Sequence, residues 1–381
     1  MMTSVYFDHN ASTKLDPAVF LAMRPFLEEQ YGNASCLYQL GVDASYAVEK
    51  ARLQTARLIN AEADELIFTS GGTESDNHAL MGAVLATQKK HIVTTAVEHP
   101  AVLNTCHFLE QFFDCRVDYL PVDAQGFVDP ADVEAAITSD TALVSVMAAN
   151  NEIGAIQPIV EIAAICRKRE VLFHTDAVQA AGRMPIDVRL WGVDLLSLSG
   201  HKMYGPKGVG ALFIRKNIQM TPFIHGGGQE NGFRAGTENV PAIVGMGAAS
   251  QLARNDASRR IDHLQRLAGY LWEALKEALP TIKRNSPESH CLPGVLNISL
   301  PGVNAREFVR AMDEQGFCLA TGSACSTGRP TPSYVLKSMG KSDADSLSAI
   351  RISLGKDNAI EEMDRFVQTL PLVLEPFRKM G

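Results

Sequence analysis

The sequence lacks the features that would take it out of the ordinary globular class. It has no basic excess: 35 Lys and Arg against 43 Asp and Glu leave a net charge of −8. That balance argues against direct nucleic-acid binding, which needs a broad basic footprint. Basic residues form no long block, and no tail reads as disordered. No uninterrupted apolar run is long enough to span a bilayer, so no membrane partner is expected. The first residues, MMTSVYFDHNAST, lack a basic region followed by an apolar one, and a secretory leader is not expected. Seven cysteines, at 36, 106, 115, 166, 291, 318 and 325, are odd in number and contain no CxxC. A chain of 381 residues needs no disulfide staples, so a reducing cytoplasm is the expected compartment. The same spacing gives no zinc site. No internal repeat is visible.

What is present is a 46 % hydrophobic chain, enough for a large core and two domains. The segments ELIFTS, HIVTTA, TALVSVM, VLFHTDA, VDLLSLS and GALFIR read as buried strands rich in Val, Ile, Leu and Phe. Helical patterns lie between them, among them AVEKARLQTARLIN, ESDNHALMGAVLATQ and PIVEIAAICRKRE, the last with Pro158 at a first helical position. This alternation predicts an α/β architecture, a mostly parallel sheet between helices. After about residue 255 the texture changes. A long helical pattern, ASRRIDHLQRLAGYLWEALKEALP, is followed by GVLNISL, AREFVRAMDEQ, AIRISLG and a last helix from about residue 359. The expected division is a large domain over 15–255 and a smaller α+β domain made of 1–14 and 256–381.

Ligands of parallel α/β sheets gather outside the carboxyl ends of the strands, and several reactive groups fall there. In IFTSGGTESDN, Gly71 and Gly72 let backbone approach a ligand, and Thr73 with the first helical amides could hold a phosphate. A plain capped turn is the equal alternative, with Thr73 capping and Asp76 complementing the helix dipole. Asp176 ends VLFHTDA, with Gln179 just beyond; it is either a turn residue or the partner of a protonated ring nitrogen. His99 follows HIVTTAVE and Asn151 follows ALVSVMAAN. In SLSGHKMYGPKGVG, Ser199, His201 and Lys202 sit in a glycine-lined niche, an odd place for a well-hydrated lysine. Together these groups supply a phosphate cradle, an acid for a pyridinium, an imidazole to lie on a ring and a confined amine. Pyridoxal phosphate needs those partners, including a lysine Schiff base. Cys325, in the Gly/Ser/Thr-rich run TGSACSTG, reads as a loop thiol, structural or nucleophilic. Cys166, spaced helically with Ile162 and Ile165, reads as core. Arg351, in AIRISLG, would clamp a carboxylate or pair with a structural acid.

At this point the chain resembles the pyridoxal-phosphate cysteine desulfurases of the NifS/IscS type, on the fold type I aminotransferase architecture. The segments FTSGGTESDN, EHPAVL, NNEIGAIQP, HTDAVQ, SLSGHKMYGPKGVGAL, HGGGQENGFRAGTEN and TGSACS occur in the family's order. The resemblance runs from YFDHNAST to AIRISLG. It implies a seven-stranded large-domain sheet and pyridoxal 5′-phosphate as cofactor. Lys202 would be the Schiff-base lysine and move the Cα proton, and His99 would stack on the ring and assist. Asp176 would pair with the ring nitrogen, and Gln179 with the ring oxygen. Gly72, Thr73, Ser199 and His201 would hold the phosphate. Thr237, in RAGTEN, would reach the phosphate of the neighbouring subunit of a homodimer. Asn151 and Arg351 would hold the carboxylate of L-cysteine. Cys325 would attack the substrate sulfur, leaving an enzyme persulfide and releasing alanine. A sulfur-acceptor protein, a cluster scaffold or a thiolation enzyme, is the implied partner. A selenocysteine lyase or another pyridoxal-phosphate lyase or aminotransferase, and a catalytically silent scaffold, are the alternatives. The chain departs from the family where NASCLY carries Ala34, Cys36 and Tyr38 in place of proline, serine and histidine, and where His9 and Lys14 replace an aromatic and a proline.

Overall fold

The computed structural model describes residues 4–321 and 331–378. A two-residue strand, β1 (Val5–Tyr6), opens the chain and precedes helices α1 (Pro17–Glu28) and α2 (Gln39–Leu58). Then come β2 (Leu66–Thr69), α3 (Gly72–Thr87), β3 (His91–Thr95), α4 (Pro100–Phe113), β4 (Arg116–Leu120), α5 (Pro130–Ala136), β5 (Thr141–Ser145), α6 (Ile159–Lys168), β6 (Leu172–Asp176), α7 (Val188–Trp191), β7 (Leu195–Ser199) and β8 (Gly210–Ile214). The remainder is α8 (Val240–Asn255), α9 (Ala257–Ala278), β9 (Lys283–Arg284), β10 (Val295–Ser299), α10 (Ala305–Glu314), β11 (Phe317–Cys318), β12 (Ala320–Thr321), α11 (Tyr334–Ser338), α12 (Asp343–Leu347), β13 (Ala349–Ser353) and α13 (Ile360–Arg378).

Strands β2 to β8 form one sheet in the order β2-β8-β7-β6-β5-β3-β4. All neighbours run parallel except β8, which is antiparallel to both β7 and β2. Strands β3, β5, β6, β7 and β8 are almost wholly buried because helices cover both faces, which is why they read as continuous apolar runs. The seventh strand, β4, escapes that pattern. Its sequence RVDYL lies at the sheet edge and is half-exposed, so its polar residues hide it. Side chains of α3 and α4, such as Leu80, Val102 and Leu109, fill one face. Those of α2, α6 and α8, such as Val48, Ile162 and Met246, fill the other. Cys166 lies in that second core, 1 % exposed, as its spacing predicts. Pro158 caps α6 rather than standing inside it.

A second core surrounds the antiparallel sheet β12-β13-β10-β9. Helix α9 turns one stripe to it, with Leu264, Leu267, Leu271 and Leu275 at most 1 % exposed. Each such leucine contributes roughly 1.5–3 kcal/mol by leaving water. Val5 and Phe7 belong to this core, because β1 pairs in parallel with β11. The chain then runs from β1 across to the large sheet. Residues 8–13 therefore lie against both halves, with His9 bonded to Ser353 and Thr13 to His201. This crossing is what completes the site.

Candidate active site

Nine of the residues singled out in the sequence face one cavity of about 200 Å³: Gly72, Thr73, His99, Asn151, Asp176, Gln179, Ser199, His201 and Lys202. The fold gathers them for one reason. Asp176 ends β6, Ser199 ends β7, His99 caps α4 after β3, and α3 starts just after β2, so all stand at one sheet edge. Lys202 closes the short 3₁₀ turn Gly200–Lys202 that follows β7.

One end of the cavity suits an anion. Helix α3 begins at Gly72, with Gly71 as its N-cap and no capping side chain. The capped-turn alternative, with Thr73 as cap, is therefore not what is found; Thr73 is the second residue of the helix. Its opening amides keep their donors free, and the helix dipole adds to them. A Cβ on Gly72 would stand 2.6 Å from Val178 Cγ2, so only glycine permits this approach. His201 lines the same cavity, its Nδ1 3.2 Å from Ser12 Oγ. Burial, helped by Lys202 and Lys207, pushes its pKa down to about 4, leaving a neutral imidazole.

The other end suits a cationic ring. Burial raises the Asp176 pKa, while His99 and Lys202 oppose that and the Val178 amide donates to its Oδ1 at 2.9 Å. Asp76, fully buried on α3, lines the same cavity instead of complementing the helix dipole from the surface. Burial drives its carboxyl well above the usual range, with the charges of Asp176 and Glu98 adding to the effect. Two neighbouring buried carboxyls do not both ionise readily. Of the two, Asp176 is the one with a cation, Lys202, acting to keep its charge. The His99 Nδ1 accepts from the Ala101 amide at 3.1 Å, so the neutral ring carries its proton on Nε2. Burial keeps that ring neutral, lowering its pKa.

Lys202 donates to the carbonyls of Asn10 at 2.5 Å and Ala11 at 2.8 Å. Burial, then the cations of Arg351 and Arg183, lower its pKa to about 8. The Gln179 amide donates to the same Asn10 carbonyl at 3.0 Å. Arg351 stands outside the cavity lining but joins this network, donating to Asp8 Oδ1 at 2.5 Å and to the Asn151 carbonyl at 3.1 Å. The structural pairing foreseen for it is thus present, yet its buried Nε has no hydrogen-bond partner among the described residues, and neither does Asn151 Oδ1. Sequence reasoning missed Asn10 and Arg183, and gave Asp76 another task.

Two residues are not gathered here. Thr237 is exposed on the loop before α8. That loop is tied to its own subunit by buried Glu230 on Arg52 at 2.6 Å and by Arg234 on Glu74 at 2.9 Å. Cys325 lies outside the described residues. Cys36 and Tyr38 sit at the surface entry to α2.

An uncapped helix start that a Cβ would block, a buried acid with a lysine acting on it, a neutral imidazole and a lysine of depressed pKa fit pyridoxal phosphate. A fold and site of this kind define a pyridoxal-phosphate enzyme, and the chain belongs to the class-V aminotransferases, whose family model matches residues 5–366. More particularly, it is 44 % identical to cysteine desulfurase IscS of Dictyoglomus turgidum, over all of this chain and 97 % of that one. A solved NifS-like protein superimposes with a TM-score of 0.92 at 38 % identity, covering 98 % of this chain and 99 % of that one. A solved structure of SspA in complex with cysteine gives 0.81 at 36 %, covering 94 % and 100 %.

Proposed function

We propose that this chain is a pyridoxal-phosphate-dependent cysteine desulfurase, which converts L-cysteine to L-alanine and leaves the sulfur as a persulfide on Cys325. The observation that carries the reading is the meeting of Lys202, Asp176 and an uncapped helix start in one cavity. The cofactor, when bound, supplies an electron sink for charge developing beside the substrate amine.

The residues divide the work. Lys202 would hold the cofactor covalently and, once released, move the proton at the substrate α-carbon. Its value of about 8 leaves an appreciable unprotonated fraction near neutrality. Asp176 would hold the ring nitrogen in its protonated form. His99 would lie on the ring and offer Nε2–H, and Gln179 would meet the ring oxygen. Gly72, Thr73, Ser199 and His201 would hold the phosphate. Arg351, with its open Nε donor, and Asn151 would hold the substrate carboxylate. The Cys325 thiolate would attack the substrate sulfur. A sulfur–sulfur bond forms as the carbon–sulfur bond breaks, and the carbon keeps the electron pair and takes up a proton to give alanine.

A homodimer completes this reading, with Thr237 of each subunit serving the other's phosphate site. Exposed apolar side chains around α1 and α2 support it: Tyr31 is 81 % exposed, Leu37 96 % and Tyr46 73 %. Large apolar side chains exposed in one stretch of the chain are expected at a contact surface. We divide the chain into 15–255 and 1–14 with 256–381, a reading supported by the two separate apolar cores. The persulfide would pass to an acceptor protein, a cluster scaffold or a thiolation enzyme. A cytoplasmic location agrees with six cysteines that are all unpaired among the described residues.

The test is the release of sulfide and alanine from L-cysteine under reductant, wild type beside Cys325→Ala. Equal amounts of both products from wild type, and little from the variant, are expected. Sulfide release by the variant at the wild-type rate would refute the role of Cys325.

A further inference from the structure

Asn10 is 1 % exposed, in the segment that crosses between the two cores, and every polar atom it has is engaged. Its N–H donates to Ser353 Oγ at 2.9 Å, and its Nδ2 donates to the Asn151 carbonyl at 2.9 Å. Its carbonyl receives both Lys202 Nζ and the Gln179 amide. Its Oδ1 accepts from Arg183 Nη1 at 2.5 Å. One short polar residue therefore touches the lysine, two other cavity residues and a buried cation.

Arg183 is the unusual member. It is 6 % exposed, it makes no ion pair among the described residues, and Asn10 is the acceptor of its guanidinium. A buried arginine usually meets a carboxylate. Here an amide stands in the carboxylate's place, so the positive charge is held in position without being cancelled. Arg183 then acts on the charged groups around it, Arg351, Arg260 and Lys202 among them; on Lys202 it adds to burial and to Arg351, while Asp176 and Asp8 oppose.

We propose that Asn10 is a positioning residue that seats the Lys202 amine on a pair of backbone carbonyls and keeps an uncancelled Arg183 charge beside it. The inference rests on the reading of Lys202 given above. The side chain does the seating indirectly: its bonds to Arg183 and Asn151 fix the backbone whose carbonyls at Asn10 and Ala11 receive Nζ. Its neutrality is the second half of the device. A carboxylate of the same shape would make the same bond to Arg183 and offset a charge that, after burial and Arg351, lowers the pKa of the amine.

The pH titration of the visible absorbance of the lysine-bound cofactor reads the charges that Asn10 and Arg183 place around the Lys202 nitrogen, on holoenzyme and without turnover. Asn10→Asp keeps the shape and is expected to move the titration midpoint upward by about one unit, since an opposite charge within a few ångströms shifts a group by roughly 1–3 units. Arg183→Gln keeps a donor toward Asn10 but removes the cation, and moves the midpoint the same way. A merely structural role would lower the melting temperature of both variants and leave both midpoints where wild type has them; that outcome overturns the inference. If Lys202→Ala retains the wild-type band and its titration, the assignment of Lys202 falls instead, whatever the Asn10 variants do.

Discussion

Glu230→Gln and Glu230→Ala test what holds the loop that carries Thr237. Glu230 accepts from Arg52 Nη1 at 2.6 Å, from Arg52 Nη2 at 2.9 Å and from the Phe68 amide at 2.8 Å. Arg52 also donates to the Leu66 carbonyl at 2.9 Å. Strand β2 is an edge of the large sheet, so the ion pair satisfies backbone groups that the edge leaves open. Glu230 has φ +47°, a conformation that costs a non-glycine residue roughly 1 kcal/mol or more and persists only under such constraint. Both side chains are buried, and Arg52's other partner, Glu49, is exposed. Removing one member of a buried pair costs about 3–5 kcal/mol. Glutamine, which can still accept from Phe68, takes the lower end and alanine the upper. An unfolding entropy of about 2.1 cal/mol/K per residue gives about 0.8 kcal/mol/K for this chain, so the melting temperature falls by roughly 4–6 °C. The double variant Arg52→Met, Glu230→Met removes both charges. It recovers only part of the loss, because the Phe68 amide and the Leu66 carbonyl lose their side-chain partners at about 1–3 kcal/mol each. The assay is thermal unfolding of the holoenzyme beside cofactor affinity, which is expected to fall with the loop. Unchanged melting in Glu230→Ala, or a double variant as stable as wild type, would refute the reasoning.

Gly72→Ala places a Cβ where Val178 Cγ2 stands 2.6 Å away, so the helix start must shift; cofactor affinity drops at least about tenfold, read by equilibrium dialysis, with folding kept. Unchanged affinity would mean that the α3 amides do not hold the phosphate. Glu98 is buried and its pKa is pushed up to about 8, chiefly by burial. The folded protein then keeps a proton that the unfolded chain has lost above about 4.5. The stability this gives is complete below that pH and declines as pH rises through 8. Urea midpoints should therefore fall more between pH 6 and 8.5 in wild type than in Glu98→Gln, which keeps an acceptor for Thr95 Oγ1 and the Met147 amide. Parallel curves would show that Glu98 is ionised throughout.

Much of the fold was legible because burial on both faces writes itself into composition. Six strands of the large sheet announce themselves as apolar runs, while β4 stays silent because an edge strand with one wet side carries Arg116 and Asp118. The site was legible for a related reason. Asp176, Ser199, His99 and Lys202 each sit within a few residues of a strand end, so reading strand ends finds them. Asn10 could not be found that way. It meets Gln179 across 169 positions and Lys202 across 192, and its own neighbours in sequence, Asp8 and His9, look like an ordinary turn.

Asp76 shows the other way local reading fails. An acid near a helix start is sound grounds for expecting a dipole contact at the surface. Which face of the helix it occupies is decided by packing, and α3 turns Asp76 inward toward Asp176. The same one-sided view made Arg351 a choice between clamp and structural pair. The bonds to Asp8 and to the Asn151 carbonyl use its Nη atoms and leave Nε open, so one guanidinium serves both ends. Side-chain chemistry belongs to the residue and can be read singly. The division of a side chain's donors between scaffold and ligand belongs to the fold, and here it is made by residues 8–11, which lie against both cores at once.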